Sequence, residues 1–319
     1  MSTESPKAVV AALAANLGIA VTKLLAWVLT GASSMLAEAI HSFADSGNQA
    51  LLLIGSKRAE RPATKDHPFG FGRERYIYAF IVSIVLFTVG GLFALYEAYH
   101  KYHEVHDGHV SPLLTSDWKW VAIVVLVIAI AMEGLSFRTA ITESNRTRGD
   151  VGWVSFIRNA KAPELPVVLL EDFAALIGLV FALVGVSLTL ATDSGYWDVA
   201  GTAGIGVLLV CVAVVLAVET KSLLLGEAAH EDHRTAIEQS ILSGEHAQEI
   251  LSLRTLHVGP DQILVACKIA VTPTDSAQMV ADTINEVEVR IRSQVPQAEF
   301  IFIEPDIKRS SLEPIPQSG

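Results

Sequence analysis

Several features that often disclose what a protein does are missing from this chain. It has only two cysteines, Cys211 and Cys267. They lie far apart in apolar surroundings, with neither metal-binding spacing nor a paired pattern. That excludes a thiolate metal centre and a disulfide framework and leaves two small buried residues. No run of Lys and Arg forms a nucleic-acid patch, so no nucleic-acid partner is expected. No cleavable leader is evident: the first apolar stretch is too long and wrongly flanked, and reads as a retained membrane span. Charged residues make up only 18% of the sequence.

What is present is apolar. Hydrophobic residues account for 51% of the 319 positions, and the mean hydropathy is +0.44, too high for an ordinary soluble domain. The formal net charge of −11 says little by itself, because the charges are segregated along the chain. A transmembrane helix needs about 20 mostly apolar residues. Six candidates fit, at roughly 9–30, 35–56, 77–100, 119–141, 164–191 and 198–224. Lys57, Arg58, Arg61, Lys65, Arg73 and Arg75 fall between spans 2 and 3. Arg138, Arg146, Arg148, Arg158 and Lys161 fall between spans 4 and 5. The turns "TGASS" and "TDSGYWD" have no Lys or Arg, and the loop after span 3 has only Lys101 and Lys119. Because Lys and Arg are retained on the cytoplasmic side, both termini are expected there.

From about residue 226 the pattern changes. "ILSLRTLHVG", "QILVACKIAV" and "AEFIFIEP" read as strands, and "SAQMVADTINEVEVRIRSQV" reads as an amphipathic helix. With a further helix near 231–243 the order is αββαβ, a small α+β domain with helices on one side of a sheet. The expected organisation is a six-helix transmembrane domain (1–225), a cytoplasmic α+β dimerisation domain (226–308) and a disordered tail (309–319).

Span 2 is the least hydrophobic, and its "EAIHSFADSGNQ" places Glu38, His41, Asp45, Asn48 and Gln49 in an apolar setting. An ionisable residue inside a membrane costs several kcal/mol on insertion scales and is a functional-site hypothesis by default. His41 and Asp45, four apart, share a helix face, and imidazole with carboxylate at that spacing can grip one divalent cation. The same pair can also serve only to hydrogen-bond a neighbouring helix. Span 5 supplies a second anomaly, for "PELPVVLLEDFAALIGL" puts Glu171 and Asp172 about two turns inside an apolar helix. Adjacent buried acids cannot both stay ionised without a cation, a proton or a water-filled cavity. One metal site shared by spans 2 and 5 accounts for both anomalies.

These elements together resemble the cation diffusion facilitator family, proton-coupled exporters of divalent transition metals. The likeness runs over nearly the whole chain: six spans, "TGASSMLAEAIHSFADSGNQ", "HPFGFGRER" before span 3, the span 5 acid, "LLGEAA" after span 6, and an αββαβ tail ending in "IFIEP". It implies a homodimer in which the tail contributes to dimerisation. It implies transport ligands at His41, Asp45 and Asp172. The family's fourth ligand would fall at Val168, which cannot ligate. That departure resembles the branch of mitochondrial zinc transporter nine and its bacterial relatives. Glu171, Glu38 or a water could complete the shell, and Glu171 is preferred. A second, weak metal site in the loop before span 3 would use Asp66 and His67, but Phe71 stands where a further His is usual. In the tail, Lys268, Gln278 and Phe302 occupy the regions where metal-sensing relatives carry histidines.

The function this implies is proton-coupled antiport of a divalent transition-metal cation out of the cytoplasm. Zn²⁺ is favoured, with Co²⁺, Fe²⁺, Mn²⁺ and Cd²⁺ open. The partners would be metal ions, protons and membrane lipid, with no resident cofactor and a multi-pass location in a bacterial inner membrane. The alternatives are a passive divalent-cation channel and an intramembrane metal-dependent enzyme. The channel would need polarity along several spans, and the enzyme has no HExxH-type arrangement to support it.

Overall fold

The structure is a computed structural model, and it describes residues 6–244 and 249–308. The expected disordered tail at 309–319 lies outside the described residues. The chain forms two units, one from the residues up to Arg58 together with Glu74–Lys221, the other from Ala59–Arg73 together with the residues from Ser222 onward.

The first unit is helical. α1 (Pro6–Thr30) and α2 (Ser33–Ala59) are joined by a two-residue turn. Gly31 takes φ 67° there and donates its N–H to the Trp27 carbonyl at 2.7 Å. This is a left-handed helix stop that glycine adopts without a Cβ penalty. α3 (Glu74–His106) follows, then α4 (Lys119–Arg148), α5 (Glu164–Thr192) and α6 (Tyr196–Leu225). Short helical turns at Pro112–Thr115 and Trp153–Asn159 sit in the connections. α3 to α6 are each long and apolar enough to cross a membrane, and Asn16–Thr30 is a shorter apolar stretch of α1. α2 is the polar helix of the set.

Small residues let these helices approach, and the buried core is built around Ala79, Val82, Leu86, Leu126, Leu179 and Leu209. Large apolar side chains such as Leu25, Val28, Val124, Ile128 and Val218 point outward, as lipid-facing positions do. α3 departs from expectation in two ways. It runs past residue 100 to His106, because nothing breaks it before Asp107 and Gly108, and Gly108 is at φ 87°. The histidines at 100, 103 and 106 are therefore helical rather than in the loop after span 3. It also contains a π-helical stretch at Leu86–Leu92.

The second unit holds α7 (Glu231–Leu242), β1 (Glu249–Gly259), β2 (Gln262–Ala270), α8 (Ala277–Gln294) and β3 (Ala298–Asp306). The sheet order is β1-β2-β3, with β1 and β2 antiparallel and β2 and β3 parallel. β2 alternates from Gln262 to Ile269. Ile263, Val265, Cys267 and Ile269 point into a core with Ile237 and Ile241 of α7 and Val287 and Ile291 of α8. On the opposite face Lys268 reaches Glu304 at 2.8 Å and Asp306 at 3.3 Å. Ala59–Arg73 packs in this unit: Phe69 meets Phe300 edge-on at 5.1 Å, and a side-chain carbon at Gly72 would lie 2.9 Å from Gly259 Cα.

Candidate metal centre

The N-terminus of α2 is fixed by α6. The buried Asp198 carboxylate accepts from the Ser33 N–H (2.7 Å) and Oγ (2.8 Å), and from the Ser34 N–H (3.3 Å) and Oγ (2.5 Å). An acid supplied from another helix thus caps the first turn, where backbone donors are otherwise unpaired. The Asp198 N–H in turn donates to Thr189 Oγ1 of α5 at 3.0 Å. The position of the polar stripe along α2 follows from this clamp.

Along the stripe Glu38, His41 and Asn48 are buried, while the Asp45 side chain keeps 16% exposure. His41 Nε2 lies 3.4 Å from Asp45 Oδ2. The two acids of α5 diverge, as residues about 100° apart on a helix must. Glu171 Oε1 accepts from Asn48 Nδ2 of α2 at 2.7 Å, whereas Asp172 Oδ2 accepts from Ser136 Oγ of α4 at 2.9 Å. Glu171 and Asp172 both act electrostatically on Asp45. Two charged residues that the sequence reading passed over join this layer. Lys23 of α1, fully buried, donates to Glu38 Oε2 at 3.1 Å and to Ser42 Oγ at 2.7 Å. Glu133 of α4 acts electrostatically on Glu38, Asp45 and Asp172. Each is a lone charge in an apolar run ("VTKLLAW", "IAMEGL"), so the rule that singled out His41 could have found them.

Five buried polar atoms on this one stripe have no hydrogen-bond partner: Glu38 Oε1, His41 Nδ1, His41 Nε2, Asp45 Oδ1 and Asn48 Oδ1. Nearly all buried polar groups in folded proteins are paired, so a concentration of unpaired polar atoms marks a place prepared for something else. Their chemistry, imidazole with carboxylate and amide oxygens, is that of a divalent-cation site. Among the described residues, however, no three His, Cys, Asp or Glu side chains stand close enough to hold one ion together. Val168 is partly buried against the apolar core. Asp66 and His67 lie on an exposed loop, where the His67 ring stacks on Phe71 at 4.6 Å and the Arg61 guanidinium lies over the Phe71 ring at 4.0 Å.

Residues 9–225 match the cation efflux transmembrane domain. The chain is 31% identical, over 76% of its length, to the mitochondrial proton-coupled zinc antiporter SLC30A9 of Xenopus laevis, of which it spans 42%. It is 24% identical to the magnetosome protein MamB of Magnetospira sp. (strain QH-2), over 90% of each chain. Among solved structures, a MamM CTD variant in its cadmium form aligns with 25% of this chain and 98% of its own, at 15% identity and a TM-score of 0.24. The family match covers most of the chain and includes every residue of the polar layer, so this multi-pass membrane protein belongs to the cation diffusion facilitator family and resembles its SLC30A9 branch.

Proposed function

We propose that the chain exports a divalent transition-metal cation from the cytoplasm in exchange for protons, and that zinc is the ion its donor set suits best. The observation that carries this reading is the set of buried, unpartnered ring nitrogens of His41 and Oδ1 of Asp45 on one face of α2. His41 and Asp45 grip the ion from α2, and Asp172 from α5. Glu171, held beside α2 by Asn48, replaces the ligand that Val168 cannot supply. A modest closure of α5 and α4 on α2 completes the shell. Metal binding needs neutral imidazole and ionised carboxylates, so loading expels protons and protonation expels metal. The mixed nitrogen and oxygen set favours Zn²⁺ over harder ions.

In this reading residues 1–225, apart from the 59–73 segment that packs in the second unit, form a six-span domain with both termini cytoplasmic, in an inner membrane, and residues 226–308 help a second copy to dimerise. The Lys268 ammonium is paired with Glu304 and Asp306, and the dimer forms without a binuclear metal site in the tail.

Proteoliposomes loaded with a zinc-sensitive dye test the reading. Uptake should follow an imposed pH gradient and stop when the gradient is collapsed. Uptake indifferent to the gradient would make the protein a channel. His41→Ala and Asp172→Asn should each lower transport at least tenfold with helical content unchanged, and normal transport by both would refute the site.

A further inference from the structure

Lys23 is the one buried cation beside this layer among the described residues, and no ligand role is open to an ammonium. Its Nζ lies 3.1 Å from Glu38 Oε2 and 2.7 Å from Ser42 Oγ, and neither Lys23 nor Glu38 is exposed at all. Glu38 is the next polar residue along the stripe from His41, three positions away and on the same face. Its other oxygen has no partner and fits against α5 only because residue 178 is glycine: a Cβ there would come within 2.7 Å of Glu38 Oε1. Glu38 is thus held between Lys23 on one side and the Gly178 notch on the other.

We infer that Lys23 is a positioning residue that keeps the Glu38 carboxylate out of the transported ion's shell, so that the ion is held loosely enough to leave. The inference rests on the cation-site reading above. A buried carboxylate demands a cation. While Lys23 supplies it, the donors left to the cargo are His41, Asp45, Glu171 and Asp172. Remove the ammonium, and the mobile divalent ion one helical turn away becomes the nearest substitute. Remove the carboxylate instead, and an uncompensated ammonium stands beside the site and repels the ion.

The two single variants should therefore move zinc affinity in opposite directions. Zn²⁺ titration of the full-length protein in detergent should show Lys23→Gln binding at least about tenfold tighter, equivalent to about 1.4 kcal/mol. Its turnover in proteoliposomes should fall while its KM falls with it. Glu38→Gln should bind about tenfold more weakly. The electrically silent double variant Lys23→Gln/Glu38→Gln should return affinity to near the wild-type value. A purely structural pair would weaken binding in both single variants, and that result, or an unchanged affinity in Lys23→Gln, overturns the inference. If Lys23→Gln does not fold, Glu38→Gln against the double variant decides: equal affinities overturn it. Wild-type protein that binds no divalent ion in the same titration overturns the cation-site reading as well.

Discussion

Asn48 carries more than its place in a polar helix implies. Its amide is the direct bond between the α2 stripe and the α5 acids, through Glu171. Asn48→Ala leaves a buried carboxylate oxygen without its donor, a loss of about 1–3 kcal/mol, and should appear as a lower melting temperature of the purified protein. Cys267 makes a separate prediction, since burial pushes its thiol up to about 11. Only the thiolate reacts with alkylating agents. At pH 8 native protein should therefore label slowly at Cys267, with the rate climbing as pH approaches 11, and unfolding should abolish the protection. Peptide mass analysis after iodoacetamide treatment reads this directly. At this scale the sequence made His41, Asp45, Glu171 and Asp172 conspicuous, because each is a charge out of place in an apolar run. Ser136 carried no such signal, since a hydroxyl is unremarkable in a membrane helix. That it faces Asp172 depends on how α4 packs on α5.

Between elements, the Asp198 clamp is the most specific contact. Asp198→Ala removes four hydrogen bonds from the start of α2. The loss combines a missing helix cap with newly orphaned donors and should cost about 2–4 kcal/mol, measurable as a thermal shift in detergent, while Asp198→Asn retains part of the set. Gly178→Leu should destabilise by about 1–3 kcal/mol through overpacking, because its Cβ already collides with Glu38 Oε1. The helices were legible from hydropathy and from the turns between them, and so were three strands and two helices of the second unit. The π-helical stretch at Leu86–Leu92 was not legible. It places Gly90 beside Leu209 of α6 and His41 of α2, and depends on the fit between helices rather than on local propensity. Nor was the Asp198 clamp, whose partners are 165 residues apart.

In the proposed antiport metal is coupled to protons across the whole molecule, and that coupling has a sign. If each bound Zn²⁺ displaces protons from His41 and a carboxylate, acid must weaken binding. Apparent zinc affinity should drop by up to about tenfold per pH unit for every proton displaced. Titration at pH 7 and at pH 5.5 checks this, and affinity independent of pH would remove the basis for antiport. The change of character near residue 226 announced a second folding unit, but sequence order concealed one of its parts. Residues 59–73 read as a basic loop between two spans, yet they fold with the sheet, where Phe69 packs on Phe300 and Gly72 on Gly259. The tail is thus assembled from two distant pieces of chain, and a single cut cannot excise it. A fragment beginning at 226 would uncover an aromatic ring and the end of β1, and should be less soluble than one to which the missing fifteen-residue strap has been spliced.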